Sequence, residues 1–291
     1  MDGILNVLKP PGMTSHDVVA YLRRVLKTKK IGHGGTLDPD AAGVLPVFIG
    51  SATRLLEFAV EGRKQYFVEI ALGRRTDTGD DSGTVIKTMP VPALQHDNVV
   101  RVLRNFTGAL MQMPPMYSAL KVNGQKLYTL ARKGISVERE ARPIEIYKLE
   151  LLHLTEASLT LAVKCSKGTY IRVLGEDIAN ALGTCGTMSF LLRTQVGGFR
   201  IEDSFTLQEI TADPAKCLAQ PLAAVSHMQR LELTARQAAR ITNGVRTTVA
   251  GTAAGRYALL GPAGEFLGIG TCNEEKIQVE KVFFRYLMQE D

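Results

Sequence analysis

Apolar positions along the first third of the chain switch between helical and strand periods. After a short start at 6–11, Val18, Val19, Leu22, Val25 and Leu26 recur at helical spacing. Thr14 or Ser15 is placed to cap that helix, and Asp17 falls in its first turn. The basic stretch 27–30 ends it, and the Gly-, Pro- and Asp-rich run 32–43 reads as a loop. Over 65–72, Tyr66, Val68, Ile70 and Leu72 alternate as one face of a strand. The run 76–83 is a polar turn, and Asp97 can cap a helix carrying Val99, Val100, Leu103 and Phe106. A strand pattern at 144–152 changes phase near Tyr147, as a bulge would make it do. Leu159, Leu161, Val163 and Cys165 alternate cleanly. After Gly168, the positions of Ile171, Leu174, Ile178 and Leu182 predict the buried stripe of another helix.

The pattern weakens over 203–226, where Pro214 and Pro221 interrupt it. Beyond, Thr234 caps a short helix that stops at Asn243-Gly244. Two strands, 257–260 and 266–269, flank Gly261 to Gly264 as a hairpin, and a last strand is expected over 277–283. Strands and helices intermingle without a βαβ repeat. The expected class is therefore α+β: a mixed, mainly antiparallel sheet with flanking helices over 1–228, and a small β-rich domain over 229–291.

Composition narrows the functional classes. A chain of 291 residues buries about 75% of its unfolded surface, so it needs no disulfide or metal staple. No apolar run of about 18 residues appears, which excludes a helical membrane span, and the N-terminus lacks a signal pattern, so the cytoplasm is expected. Four cysteines without a CxxC pair and five dispersed histidines offer no metal spacing; neither metal nor cofactor is expected. The net charge of +6 is concentrated at Arg23, Arg24, Lys27, Lys29 and Lys30, at Arg63 and Lys64, and at Arg132 and Lys133. One such cluster would be a solvated helix face; three suit a phosphate backbone.

Among the acidic candidates, Asp77, Asp80 and Asp81 are read as a solvated turn, and Asp40 as a turn residue. Asp38 differs. Gly34 and Gly35 free the backbone for close approach to a ligand, and Pro39 stiffens the residue before it. One carboxylate held at a loop tip suits a nucleophile or base, although a plain turn has the same composition.

The segment Gly32-His33-Gly34-Gly35-Thr36-Leu37-Asp38-Pro39-Asp40-Ala41-Ala42-Gly43-Val44-Leu45-Pro46 resembles the signature loop of the TruB family of tRNA pseudouridine synthases. Four further blocks resemble the family in the same order: Lys9 to Asp17, Lys64-Gln65-Tyr66, Pro114 to Lys121, and Gly168-Thr169-Tyr170-Ile171-Arg172. The likeness continues loosely through Leu191 to Thr194, and the tail resembles a PUA-type RNA-binding domain. One departure is Leu192-Arg193, where the family commonly carries two arginines. A phosphate contact or helix-surface ion pair is expected to be missing there.

The resemblance implies the pseudouridine synthase fold and an isomerase that moves uracil from an N- to a C-glycosidic bond in the tRNA T-loop, at the uridine conventionally numbered 55. It implies no cofactor, no obligatory protein partner and a monomer that recognises the T-arm of tRNA. Asp38 would be the essential carboxylate, Tyr66 would stack on the flipped base and accept its C5 proton, and Arg172 would keep Asp38 ionised. His33 would fill the space of the vacated base or bond loop backbone. Tyr170 and Leu191 would line the uracil pocket, though as helix core residues they would look the same. Lys9 would support the site or touch phosphate, and Lys121 would contact phosphate or be a solvated surface lysine. An RNA-folding chaperone and a guide-RNA-dependent synthase are the alternative functions.

Overall fold

The computed structural model describes residues 2–283 except 60, 61, 119, 123 and 132, together with no side chain at 121 or 126. In chain order its elements are β1 (Gly3–Lys9), α1 (Ser15–Val25), β2 (Ile31–His33), β3 (Ala42–Ile49), α2 (Leu56–Ala59), β4 (Lys64–Leu72), β5 (Arg74–Thr76) and β6 (Val85–Thr88). Then come α3 (His96–Arg104), β7 (Gly108–Gln112), β8 (Lys121–Val122), β9 (Gln125–Lys126), α4 (Leu127–Ala131), β10 (Arg142–Leu154), β11 (Ser158–Cys165), α5 (Ile171–Ala181) and β12 (Gly186–Val196). The chain closes with β13 (Phe199–Arg200), α6 (Leu207–Ala212), β14 (Leu218–Ala219), β15 (Gln229–Glu232), α7 (Ala235–Thr242), β16 (Thr247–Thr248), β17 (Gly255–Leu260), β18 (Phe266–Asn273) and β19 (Lys276–Val282).

The main sheet runs β14-β1-β3-β12-β4-β11-β10-β7, with β2 beside β3 and β13 beside β12. It is an α+β arrangement, antiparallel except where β3 meets β12. That parallel junction joins Leu192 to Ala42 and Arg193 to Gly43. It permits no Cβ at position 43, because one built there would lie 2.2 Å from the Arg193 carbonyl oxygen. Gly43 therefore lets the two halves of the sheet meet just where the loop before β3 ends.

One face of β4, β11 and β12 packs on α5 and α3. Tyr66, Val68, Ile70, Leu159, Leu161 and Val163 meet Ile171, Leu174 and Ile178, as their alternation and helical spacing predict. A second apolar core lies under β1, β3 and α1. A third is shared with the C-terminal sheet, whose order is β15-β17-β18-β19-β16: Phe58, Val196 and Phe199 pack with Ala258, Leu260, Phe266 and Ile269. The tail sheet is thus fastened to the main sheet by buried apolar surface. No helix among the described residues is long and apolar enough to cross a membrane.

Several local expectations need revision. The loop expected over 32–43 is narrower, because Ile31–His33 and Ala42–Ile49 are strands. The second is buried on nearly every residue, so both faces are apolar and no alternation marks it. Strand β12 escaped for a different reason: Thr187, Ser189, Arg193 and Thr194 interrupt its apolar residues, and register shifts after Met188 and Arg193 break the alternation. It places Leu191 on a strand rather than in a helix. Helix α3 has Gln95 at its N-cap position, without a side-chain capping bond, and Asp97 lies in its first turn. The phase change near Tyr147 is a register shift between Ile146 and Lys148. Thr14 does cap α1, in a reciprocal capping box with Asp17.

Candidate active site

The loop between β2 and β3 has few backbone hydrogen bonds of its own, and side chains from three distant elements supply the rest. Lys9, at the end of β1, is fully buried and its Nζ donates to the carbonyls of Pro10, Pro39 and Ala41 at 2.8, 2.8 and 2.6 Å. Ser15, in the first turn of α1, accepts from the Leu37 N–H at 2.8 Å and donates to the Leu37 carbonyl at 3.1 Å. Arg193 on β12, 1% exposed, sends Nη2 to Gly35 O at 3.0 Å, Nη1 to Thr36 O at 3.2 Å and Nε to Val44 O at 2.8 Å. Buried carbonyls are satisfied in this way, and the loop is held stiff without regular structure.

Asp38 projects from this clamped loop. Arg172 reaches it from the first turn of α5, with Nε 3.1 Å from Oδ2 and Nη2 3.4 Å from Oδ1. The guanidinium also donates to Thr78 O and Tyr117 O, each at 2.8 Å, so three segments aim it. Asp80 stands on its other side, 3.6 Å from Nη1. Asp80 is in turn fixed by the hydroxyls of Thr78 and Ser82. Burial raises the Asp38 pKa, Arg172 opposes that rise, and the Asp80 charge adds to it. The net direction is upward, so Arg172 offsets burial only in part.

A cavity of about 540 Å³ opens over this pair. Tyr66 and Lys64 of β4, Leu191 and Arg193 of β12, and Tyr170 at the start of α5 share its wall with Asp38. Its size suits a ligand on the scale of one nucleotide. Burial pushes the Tyr66 phenol up to about 12, and the adjacent Arg193 charge works against that rise. Gln112, at the end of β7, accepts from the Tyr170 N–H at 2.8 Å and donates to the Tyr170 carbonyl at 3.1 Å, fixing the backbone where α5 begins.

The structure thus gathers Asp38, Tyr66, Arg172, Tyr170 and Leu191 around one cavity. Arg172 is buried in it, not a surface ion pair on a helix. His33 is not among the lining residues; it pairs with Val47 on β2, its Nδ1 is buried without a hydrogen-bond partner, and burial lowers its pKa. Lys9 is fully buried, with its Nζ bonded to three backbone carbonyls, the placement expected of a support for the loop. Lys121 belongs to β8, and its side chain lies outside the described residues, as does all of Arg132.

Two further expectations are corrected. Asp80 is not a solvated turn residue, since its side chain is 16% exposed and faces Arg172. The pair Leu192-Arg193 is on a strand, and Arg193 is a buried clamp, so the departure at 192 touches no helix-surface ion pair. The Thr78, Asp80 and Ser82 spacing signals a hydrogen-bonded turn, but nothing local in the sequence shows that Arg172 arrives there.

Comparison with known proteins adds independent information. The model for the TruB family pseudouridylate synthase N-terminal domain matches residues 23–171, and that for the tRNA pseudouridylate synthase B C-terminal domain matches 172–225. The chain is 46% identical to tRNA pseudouridine synthase B of Caldanaerobacter subterraneus subsp. tengcongensis, over 97% of this chain and 99% of that protein. It is 48% identical to the protein of the same name from Heliobacterium modesticaldum, over 84% of this chain and 81% of that one. A solved Cbf5-Nop10-Gar1 complex contains a chain similar at a TM-score of 0.77 and 26% identity, covering 98% of this chain and 85% of the other. An H/ACA ribonucleoprotein bound to a substrate RNA containing 2′-deoxyuridine gives 0.75 and 27%, covering 97% and 85%.

Proposed function

The chain belongs to the TruB family, isomerases that convert uridine in tRNA to pseudouridine, and from that membership we propose that its target is the T-loop uridine conventionally numbered 55, flipped into the cavity over Asp38. The observation that carries the reading is the Asp38–Arg172 pair on the floor of a nucleotide-sized cavity with Tyr66 in its wall.

The reaction breaks the bond from ribose C1′ to uracil N1, rejoins C1′ to C5, and removes the C5 proton. It needs a carboxylate as nucleophile or base and an acceptor for that proton. Asp38 is the carboxylate. It is held by a loop that cannot relax, beside a cation that favours its charged form. Unstacking the target base costs a few kcal/mol. Stacking on Tyr66 returns about 1–3 kcal/mol, and the apolar wall at Leu191 adds to it. Burial holds Tyr66 as the neutral phenol, with a pKa of about 12, and the Arg193 charge lowers the cost of the phenolate that must form before it can take the C5 proton. Tyr170 and Leu191 complete the uracil pocket.

The C-terminal sheet from Gln229 onward serves as a PUA-like domain that adds RNA contact surface, with the residues 1–228 as the catalytic domain. The enzyme works as a monomer in the cytoplasm without a protein partner. Near-complete coverage of the tRNA pseudouridine synthase B relative supports that reading over a guide-RNA-dependent one. Purified protein incubated with an unmodified tRNA transcript should yield pseudouridine at the T-loop position with no guide RNA or second protein added. Conversion only in the presence of a guide or partner would overturn it.

A further inference from the structure

The cavity's charges are sorted. On the Asp38 side, the carboxylates of Asp38 and Asp80 flank Arg172. Near Gly35 two cations meet: a Cβ on Gly35 would lie 3.7 Å from the Arg193 guanidinium and 3.8 Å from Lys64 Cε, and although Arg193 feels the Asp38 charge, no carboxylate among the described residues acts on Lys64. The charges acting on Lys64 are those of Arg193 and Lys167, both positive, with the Cys165 thiol beside them. Arg193 is spent on three backbone carbonyls. Lys64 is not: its ammonium has no hydrogen bond or ion pair among the described residues, and it lines the cavity.

We propose that Lys64 binds the RNA phosphodiester next to the flipped uridine, forming with the field of Arg193 an anion subsite that fixes the nucleotide over Asp38. The proposal rests on the reading of function above. Three arguments carry it. A half-buried ammonium crowded by a guanidinium and offered no carboxylate is electrostatically unfavourable, and an entering anion relieves it. Burial and the Arg193 charge hold the Lys64 pKa down at about 8, as expected of a cation awaiting its counter-charge. Lys64 and Tyr66 are two residues apart on one face of β4, roughly 6.6 Å along the strand. That separation suits a lysine on the backbone while the tyrosine holds the base. The only anion that an RNA substrate brings into such a site is its phosphodiester.

The test uses a T-arm stem-loop RNA in which a neutral methylphosphonate replaces the linkage either 5′ or 3′ of the target uridine. Binding is measured over a salt series for wild type, Lys64→Met and Lys64→Arg, with thermal unfolding to confirm that each variant folds. Lys64→Met should weaken binding of the all-phosphate RNA about tenfold, on the scale of one charge-assisted hydrogen bond. Its log–log salt slope should be shallower by about 0.7–0.9, one phosphate's worth of counterions. Neutralising one of the two linkages should weaken wild type to the same degree and Lys64→Met no further, and Lys64→Arg should recover most of the affinity. An unchanged salt slope, or losses that multiply at both linkages, would overturn the assignment. Wild type that binds this RNA but does not convert it strikes at the functional reading instead, and the binding cycle then still decides Lys64.

Discussion

Replacing Arg172 by methionine removes the one cation in contact with Asp38 among the described residues, and its effect can be worked out in sign and size. Two unit charges about 4 Å apart attract by about 4 kcal/mol at an effective dielectric near 20, and by about 1 kcal/mol in water. The Asp38 side chain is 35% exposed, so solvent screening takes the pair toward the lower end, about 1–2 kcal/mol. At 1.36 kcal/mol per pH unit, that is about one unit on the Asp38 pKa. In the proposed mechanism the active species is the carboxylate. Burial and Asp80 raise its pKa and Arg172 lowers it, so removing Arg172 moves the acid limb of kcat/KM to higher pH by about one unit. The assay is tritium release from C5-labelled uridine in tRNA, from about pH 5 to 8.5, with the ratio of variant to wild type read at each pH. That ratio should climb as pH rises. Asp80→Asn is the control of opposite sign: it removes a negative charge that raises the Asp38 pKa, so its acid limb should move down. An unmoved limb in Arg172→Met, or limbs that move the same way in both variants, would refute the electrostatic account. The two carbonyls that Arg172 leaves unsatisfied, Thr78 O and Tyr117 O, should also lower stability by about 2–4 kcal/mol, which is why the ratio and not the absolute rate is diagnostic.

Asp38→Asn should lose at least about a thousandfold in turnover while binding tRNA within threefold of wild type. Because the folded state raises the pKa of this carboxyl, its charge opposes folding at neutral pH, so the neutral variant should be no less stable; a clear drop in urea midpoint would contradict this. Lys9→Met should cost about 2–4 kcal/mol of stability and leave RNA affinity unchanged, as a support does and a phosphate contact does not. The Lys9 pKa is pushed down to about 8 by burial, below its unfolded value, so wild type gains stability as pH rises through 8 toward 10 and the gap to the variant should widen there. Gly43→Ala meets a carbonyl at 2.2 Å with φ at +112°, and should lose at least about 3 kcal/mol in denaturant unfolding; a loss below 1 kcal/mol would mean the junction can open.

Periodicity made the elements with one buried face legible. Tyr66, Val68 and Ile70 alternate because β4 packs on α5 from one side only, and Thr14 with Asp17 writes a cap into four residues. Strand β3 was illegible because apolar residues cover both its faces and a uniform run carries no phase, and β12 because Thr187, Ser189, Arg193 and Thr194 interrupt its apolar residues while register shifts after Met188 and Arg193 break the period. The site divides along the same line. Asp38 is marked by its own loop, with glycines before it and proline after. Asp80, Lys64 and Arg193 are not marked, because what distinguishes each is a neighbour from a distant segment. Asp80 looks like any turn aspartate until Arg172 of α5 arrives at 3.6 Å, 92 positions later in the chain.

The clamps also explain why an unfavourable carboxylate persists. Within the loop from Gly34 to Ala41 only the Ala41 N–H bonds the Asp38 carbonyl among the described residues, and the carbonyls of Gly35, Thr36, Leu37, Pro39 and Ala41 are bonded by Lys9, Ser15 and Arg193 from β1, α1 and β12. Each of those residues belongs to a strand or helix fixed by its own core, so the raised pKa cannot be relieved by a small backbone shift that lets Asp38 swing into water. Arg172 is constrained likewise, by two carbonyls that it would have to abandon in order to follow Asp38 outward. The carboxylate is therefore kept partly desolvated and incompletely neutralised, at the expense of folding free energy, in the position where a reacting sugar or base would meet it.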